Sequence, residues 1–270
     1  MGAGIASIGA LAGFDIHLND ITTEQIEQAL ARIGDDHRKR QGKGELSEQQ
    51  CSEAQRRIHR SESLNDLKDC SFVIEAAVEE LEAKRKIFKQ LEESCSPEAI
   101  LASNTSSLSI TSIAGATRLP HRVVGMHFFN PPQRMKLVEI VRGHHTDDIT
   151  IEQTKSLATA LGKVSIVVKD TPGFIVNRIA RPFYGEALKL LGEGVASVEE
   201  IDRILKLEGG FKMGPFELMD LIGIDVNLSV TQSIYEQTFH EPRYRPHSIQ
   251  RAKVAAGLLG KKSGEGFYSY

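Results

Sequence analysis

The chain has 270 residues, of which 40% are hydrophobic and 26% charged, and its formal net charge is −3 at pH 7. This length suits one large domain or two modest ones, and the composition is that of an ordinary soluble globular protein. The charge argues against a dedicated nucleic-acid surface, and no apolar run approaches the ~18 residues of a membrane span. Three cysteines without metal-like spacing indicate free thiols in a reducing compartment. We therefore expect a cytoplasmic protein without nucleic-acid or membrane partners and without a metal.

Strand-like apolar runs alternate with helical runs in the first part of the chain, residues 1–169. This alternation is typical of a parallel sheet with helices on both faces, a Rossmann-like doubly wound α/β domain. The Asn130-Pro131-Pro132 segment is a turn signal, so the strands on either side of it are expected to pair antiparallel. The predicted strands are 14–18, 72–76, 100–102, 123–127, 137–141 and 164–168, and the predicted helices are 23–41 and 79–94.

The second part, residues 170–270, has a helical pattern throughout and predicts an all-α C-terminal domain. Ser197, followed three residues later by Glu200, matches a capping box. The helix predicted over 214–238 has apolar residues on more than one face, which favours a symmetric homodimer through this domain. The four predicted helices are 174–192, 197–206, 214–238 and 245–258.

Four short motifs place chemically active side chains beside strand ends or Pro/Gly breaks. They supply a hydroxyl, an imidazole, a carboxylate and an amide. A site that removes a proton from an alcohol needs such a set: a base, a partner for the base, and groups that hold the oxygen. The motifs are Ser103-Asn-Thr-Ser-Ser-Leu108, His127-Phe-Phe-Asn-Pro131, Lys136-Leu-Val-Glu139 and Asp170-Thr-Pro-Gly-Phe-Ile-Val-Asn177-Arg178.

In this order and at these intervals, the four motifs resemble those of the L-3-hydroxyacyl-CoA dehydrogenases, NAD-dependent enzymes of fatty-acid β-oxidation and butyrate metabolism. The resemblance covers essentially the whole chain. One tetrapeptide alone would be weak, whereas four in register are specific. The resemblance implies hydride transfer between NAD and an acyl-CoA substrate, interconverting (S)-3-hydroxyacyl-CoA and 3-oxoacyl-CoA.

His127 is the expected general base. A strand-turn-strand path from His127 to Glu139 can bring the carboxylate back to the imidazole, where it would orient the ring and stabilise its protonated form. The resemblance implies that Ser106 hydrogen-bonds the 3-oxygen of the substrate. It also implies that Asn177 helps to hold the substrate carbonyl and the histidine, which would place the site at a domain interface. For Ser106 and Asn177, a turn or cap residue and a polar helix residue are the structural alternatives.

The beginning of the chain differs from the usual order of strand, G-x-G-x-x-G and helix. The first residues already read as a helix start, and strand 14–18 leads to Asp20, where the acid that binds the adenosine ribose belongs. In the resembled family a Met often precedes the third fingerprint glycine, so Met1-Gly2 matches that pair. The first strand and the first two glycines are then expected to be missing, and NAD binding by this form is expected to be weak.

Further ligand contacts are implied by the resemblance. A solvated helix face is the alternative for Glu79 and Lys84. Lys43 matches a CoA-binding lysine and ends a basic run that begins at His37 and could contact CoA phosphates, although Asp36 replaces a family serine. The residues matching NAD-contacting positions are Glu79, Lys84, Asn130 and Lys262.

Two alternatives remain at this point. Gulonate dehydrogenase and the related λ-crystallin resemble the same fold, although Phe128-Phe129 and Lys136 fit the CoA branch better. A catalytically silent structural relative is the other alternative, because the fingerprint is incomplete. Activity on acetoacetyl-CoA and on gulonate would distinguish the possibilities.

Overall fold

The computed structural model describes residues 1–270, which divide into two compact units, Met1–Thr171 and Pro172–Tyr270. The first unit is α/β and the second is helical, so the predicted fold class is confirmed. No helix is long and apolar enough to cross a membrane. All three cysteines are free thiols.

The first unit contains seven strands and six helices. The strands are β1 Ile16–Asn19, β2 Ile58–Ser61, β3 Phe72–Glu75, β4 Ile100–Ser103, β5 Val123–Phe128, β6 Leu137–Arg142 and β7 Val164–Lys169. The helices are α1 Gly2–Leu11, α2 Thr23–Gly42, α3 Glu48–Arg56, α4 Leu81–Ser94, α5 Ile110–Ala114 and α6 Asp148–Ala160.

These strands form two sheets. β1 and β2 make a parallel pair, and the other five are ordered β3-β4-β5-β6-β7. Within the larger sheet only β5 and β6 pair antiparallel, which confirms the expectation from the Asn130-Pro131-Pro132 turn. β1 and β3 are each an edge strand of their own sheet.

The core of the first unit lies between this larger sheet and helices packed on it. β4 and β5 are buried along their whole length, as expected for central parallel strands covered on both faces. Ile5 and Ile8 of α1 and Ile151 of α6 pack in the same buried cluster as Val124 and Ile140 of the sheet. This arrangement leaves the carboxyl ends of the parallel strands as the place where polar loop residues collect.

Several elements were not predicted. No local pattern predicted α3, β2, α5 or α6. α5 and β2 are short, α3 has a markedly polar sequence, and β2 has only one fully buried residue, Ser61. Their stability comes from packing on neighbouring elements more than from a strong local pattern.

The second unit is a bundle of five helices: α7 Val176–Gly192, α8 Val198–Leu207, α9 Pro215–Ile222, α10 Ile224–Gln237 and α11 Ser248–Ala255. The capping box of α8 is present, since Glu200 N–H donates to the Ser197 hydroxyl and Ser197 N–H donates to Glu200. The core is built from residues of α7, α8, α9 and α10, including Tyr184, Ile201, Phe216 and Ile224.

The prediction of a single helix over 214–238 was wrong. It is two helices, α9 and α10, separated at Gly223, whose φ of 102° lies in the region that favours glycine. A Cβ there would lie 2.9 Å from the Asp225 carboxylate. The helix predicted over 245–258 is shorter, because it starts after Pro246 and is followed by Gly257, with a φ of 75°.

Candidate active site

A buried histidine–carboxylate pair lies in the larger sheet. His127 and Glu139 are directly opposite each other in the antiparallel register of β5 and β6. Opposite residues share a face, so their side chains meet. His127 Nδ1 lies 2.8 Å from Glu139 Oε2, and the two residues are 5% and 0% exposed. The strand-turn-strand path thus does bring the carboxylate to the imidazole.

This geometry defines the chemistry of the ring. The Glu139 carboxylate accepts a hydrogen bond from Nδ1–H, so in the neutral imidazole Nε2 carries the basic lone pair. The Phe129 ring lies 4.6 Å from the imidazole centroid to centroid and adds an apolar neighbour. A buried carboxylate at this distance also stabilises the imidazolium that forms when Nε2 takes a proton.

Asn104, which sequence reasoning did not single out, connects the ends of β4 and β5. Its side-chain oxygen accepts a hydrogen bond of 2.9 Å from the N–H of Phe128, the residue after His127. The backbone N–H of Asn104 donates to the backbone oxygen of Glu75 at 2.8 Å. The available signal was its position inside the Ser-Asn-Thr-Ser-Ser motif, between two predicted strands.

Ser106 lies in a turn organised by Glu79. One oxygen of Glu79 accepts from Thr105 Oγ1 at 2.6 Å, from Ser106 N at 2.8 Å and Oγ at 3.1 Å, and from Ser107 N at 3.1 Å. Burial disfavours the charged carboxylate, but these hydrogen bonds and the nearby Lys84 ammonium outweigh burial and lower the pKa of Glu79. Glu79 is therefore held as an anion beneath the serine turn.

The structure excludes a solvated helix face for both Glu79 and Lys84. Glu79 precedes α4, because this helix starts at Leu81 and not at the predicted residue 79. Lys84 is on α4 but is only 1% exposed, and its ammonium lies 2.6 Å from Glu75 and 3.5 Å from Glu79. A helical pattern shows which residues share a face, but not that a carboxylate pair covers that face.

Three of the residues expected to contact the dinucleotide, Gly2, Asp20 and Asn130, lie in the first unit, and their roles stay predictions. Asp20 directly follows β1 and is exposed, as an acid for a ribose hydroxyl would be. Gly2 is the first residue of α1, and a Cβ on Gly2 would lie 3.8 Å from Ala76, just after β3. The backbone N–H groups of a helix N-terminus beside a strand's carboxyl end suit a diphosphate. Asn130 is exposed in the loop after β5.

Only part of the expected CoA-binding run is accessible. His37 is 1% exposed and bonds to Ser7 within the first unit, so it cannot contact CoA phosphates. Arg38 and Arg40 pair with neighbouring carboxylates. Lys43, at the end of α2, is exposed, as a phosphate ligand must be.

Two expected site residues belong to the helical unit. Asn177 lies in the first turn of α7. Lys262 lies near the C-terminus and forms an ion pair of 2.6 Å with Asp225. The roles of both residues stay predictions.

Family models match both units. The model for the NAD-binding domain of 3-hydroxyacyl-CoA dehydrogenase covers residues 1–171, and the model for its C-terminal domain covers residues 173–270.

Individual relatives agree with these matches. The chain is 46% identical over its full length to 3-hydroxybutyryl-CoA dehydrogenase of Bradyrhizobium diazoefficiens, covering 92% of that protein. It is 44% identical to 3-hydroxyadipyl-CoA dehydrogenase of Escherichia coli, a longer protein of which it spans 57%. The crystal structure of (S)-3-hydroxybutyryl-CoA dehydrogenase from Ralstonia eutropha superposes with a TM-score of 0.96 at 43% identity, with 100% of this chain and 95% of that chain covered.

A predominantly parallel sheet with helices packed on it, together with a buried histidine–carboxylate pair, is typical of a nicotinamide-dependent dehydrogenase. The chain belongs to the 3-hydroxyacyl-CoA dehydrogenase family. It is an NAD-dependent oxidoreductase that interconverts 3-hydroxyacyl-CoA and 3-oxoacyl-CoA. The comparisons do not favour a gulonate dehydrogenase or a silent structural relative.

Proposed function

We propose that the preferred substrate is a short (S)-3-hydroxyacyl-CoA such as 3-hydroxybutyryl-CoA, and that His127 is the general base. The buried 2.8 Å contact between His127 and Glu139 carries the assignment of the base. The names of the Bradyrhizobium and Ralstonia relatives support the short acyl chain.

In the oxidative direction, His127 removes the proton of the 3-hydroxyl through Nε2. The hydride that leaves C3 would pass to NAD, which supplies the redox chemistry when it is bound. Glu139 stabilises the imidazolium, because a carboxylate excluded from water interacts strongly with a charge at hydrogen-bond distance. In the reductive direction the same imidazolium returns the proton to the forming alcohol.

Ser106 and Asn177 are proposed to hold the 3-oxygen and the neighbouring carbonyl during this change. The Ser106 hydroxyl donates to Glu79 at 3.1 Å, and a hydroxyl proton can rotate toward another acceptor. Glu79 keeps its bonds from Thr105 and Ser107 when that proton turns to a substrate oxygen. The turn would therefore stay in place while the serine changes its partner.

The contacts to the ligands follow from the positions matched above. We propose that the diphosphate and ribose of NAD are held by Gly2 and Asp20, and that Lys43 contacts a phosphate of CoA. The other proposed NAD contacts are Glu79, Lys84, Asn130 and Lys262. For Lys84, burial favours an indirect contribution through Glu79.

A homodimer through the helical unit is also proposed. The six apolar residues 216, 218, 219, 221, 222 and 224 suggested it, but Phe216, Met219 and Ile224 are fully buried within their own unit. The support now comes from Leu221 and Ile222, which are 51% and 42% exposed. Sedimentation showing a monomer at micromolar concentration would contradict the dimer.

We also propose a cytoplasmic role for the enzyme in β-oxidation or butyrate metabolism.

Steady-state assays test the substrate. We expect NADH oxidation with acetoacetyl-CoA and NAD reduction with (S)-3-hydroxybutyryl-CoA, each at a higher kcat/KM than with 3-hydroxyadipyl-CoA. Gulonate with NAD is the negative control. Higher kcat/KM with the dicarboxylic acyl-CoA would replace the short-chain assignment, and activity on gulonate alone would refute the proposed function.

A further inference from the structure

Two buried charges, of Glu75 and Lys84, and the partly exposed carboxylate of Glu79 underlie the serine turn. Glu75 is the last residue of β3, Glu79 follows it in the loop, and Lys84 projects from the first turn of α4. Glu75 and Lys84 are 6% and 1% exposed. Neither residue faces the solvent, so a surface ion pair is not the explanation for their contact.

Every polar atom of the Glu75 carboxylate has a partner. One oxygen accepts from Lys84 Nζ and from Ala77 N, each at 2.6 Å. The other accepts from Ser103 Oγ at 2.6 Å, and Ser103 is the last residue of β4, just before the Asn104-Thr105-Ser106 turn. Glu75 therefore fixes the ends of two adjacent strands and the position of the ammonium.

Lys84 transmits this position to Glu79. A fully buried ammonium needs anionic partners, because burying an unpaired charge is very unfavourable. Glu75 at 2.6 Å is the nearer partner, and Glu79 at 3.5 Å is the second. The far oxygen of Glu79 faces the lysine, while its other oxygen collects the hydrogen bonds of the serine turn.

We infer that Glu75 is a positioning residue for Ser106, acting through Lys84 and Glu79. Without the Glu75 charge, Glu79 becomes the only anion for the ammonium, and the carboxylate is drawn away from the N–H groups of Ser106 and Ser107. The inference concerns catalysis only insofar as Ser106 holds the substrate oxygen, as proposed above.

Glu75→Gln tests the inference, since glutamine keeps the shape and an acceptor oxygen. We expect kcat to fall about tenfold with little change in either KM, because small displacements of a positioned group reduce turnover strongly. Glu92→Gln is the matched control: Glu92 is also a buried carboxylate, of α4, but it accepts from Arg118 N and Leu119 N away from the serine turn. Its kcat should equal that of the parent protein.

A double-mutant cycle separates positioning from general structural damage. In a Glu79→Gln background, Glu75→Gln should cause no further fall in kcat, because its effect passes through Glu79. Multiplicative losses in the double variant, or equal losses in Glu75→Gln and Glu92→Gln, would overturn the inference.

Hydrogen exchange gives a readout that does not depend on turnover. The amide protons of Ser106 and Ser107 donate to Glu79, so Glu75→Gln should accelerate their exchange about tenfold or more. Glu92→Gln should leave these two amides unchanged. If exchange of these amides is unchanged in Glu75→Gln, the positioning role is refuted, whether or not the parent protein is active on acyl-CoA. If exchange is accelerated but the parent protein has no activity on acyl-CoA, only the proposed function is refuted.

Discussion

The two units bury carboxylates for different purposes. In the sheet unit, Glu139 faces the imidazole of His127 and Glu75 faces the ammonium of Lys84. In the helical unit, Asp202 accepts from the N–H groups of Phe216 and Glu217 and from the Tyr268 hydroxyl. Glu139 and Glu75 thus face side chains that exchange protons or carry charge, whereas the partners of Asp202 are mainly backbone groups.

A buried cation of the helical unit also has mainly backbone partners. Arg181 is 4% exposed, and it donates to the backbone oxygens of Asn177 and Asn227 and to the Thr231 hydroxyl. Burial lowers the pKa of Arg181 to about 10. Its bonds connect α7 to α10, so this buried charge holds helices together. The charges of Glu139 and Glu75 should therefore control chemistry, and those of Asp202 and Arg181 should control stability.

The largest effect is expected at the histidine. His127→Gln should lower kcat by about 10²–10⁴-fold, the usual contribution of a general base, while the glutamine amide can still donate to Glu139. His145→Gln, at an exposed histidine of the same unit, is the control and should keep parental turnover. Near-parental kcat in a folded His127→Gln protein would end the assignment of the base.

A stability effect without a chemical effect is expected at Asp202. Asp202→Asn should destabilise the protein by about 1–3 kcal/mol, because the amide offers one acceptor oxygen and turns an NH₂ group toward backbone donors. Chemical denaturation followed by circular dichroism measures the loss, and kcat per folded molecule should not change. A large fall in kcat at full stability would break the distinction between the two units.

A smaller, pH-dependent effect is expected at His37, a buried histidine without a carboxylate bond. Its Nε2 lies 2.9 Å from Ser7 Oγ, and its Nδ1 has no hydrogen-bond partner. Burial lowers its pKa; Asp36 opposes this shift and Arg40 adds to it. Below pH 6.5, the ordinary pKa of histidine, the unfolded chain therefore binds a proton at His37 more readily than the folded chain does. The free energy of unfolding consequently falls as the pH decreases.

Unfolding curves at several pH values measure this effect. The free energy of unfolding should decrease as the pH falls below 6.5, and His37→Gln should reduce the slope of that decrease. The same slope in both proteins would show that His37 is not responsible.

The smallest effect is expected for the exposed lysine assigned to CoA. Lys43→Ala should raise KM for acyl-CoA by a few-fold and leave kcat unchanged, since a solvated ion pair contributes only about 0.2–1 kcal/mol. The effect should shrink at high salt. Lys155→Ala, at a half-exposed lysine of the sheet unit, should leave KM unchanged. Equal KM values for acyl-CoA in the parent protein and both variants would show that Lys43 does not contribute to CoA binding.

Much of the sheet unit could be predicted from local patterns. The strand ending at His127 and the strand carrying Glu139 are apolar runs separated by a Pro-rich turn, so the antiparallel register that joins them is short-range information. The helical unit was harder to divide, because α9 and α10 continue the same apolar pattern and only the backbone conformation of Gly223 separates them.

The sequence by itself determined the alternation of strands and helices, the four motifs and, through them, the family. These features depend on residues close together in the chain, whose spacing carries the information. Only the tertiary structure decided that Lys84 is buried between Glu75 and Glu79, and that His37 turns inward to Ser7. Such contacts depend on which segment covers a helix face, and periodicity identifies the face but not its partner.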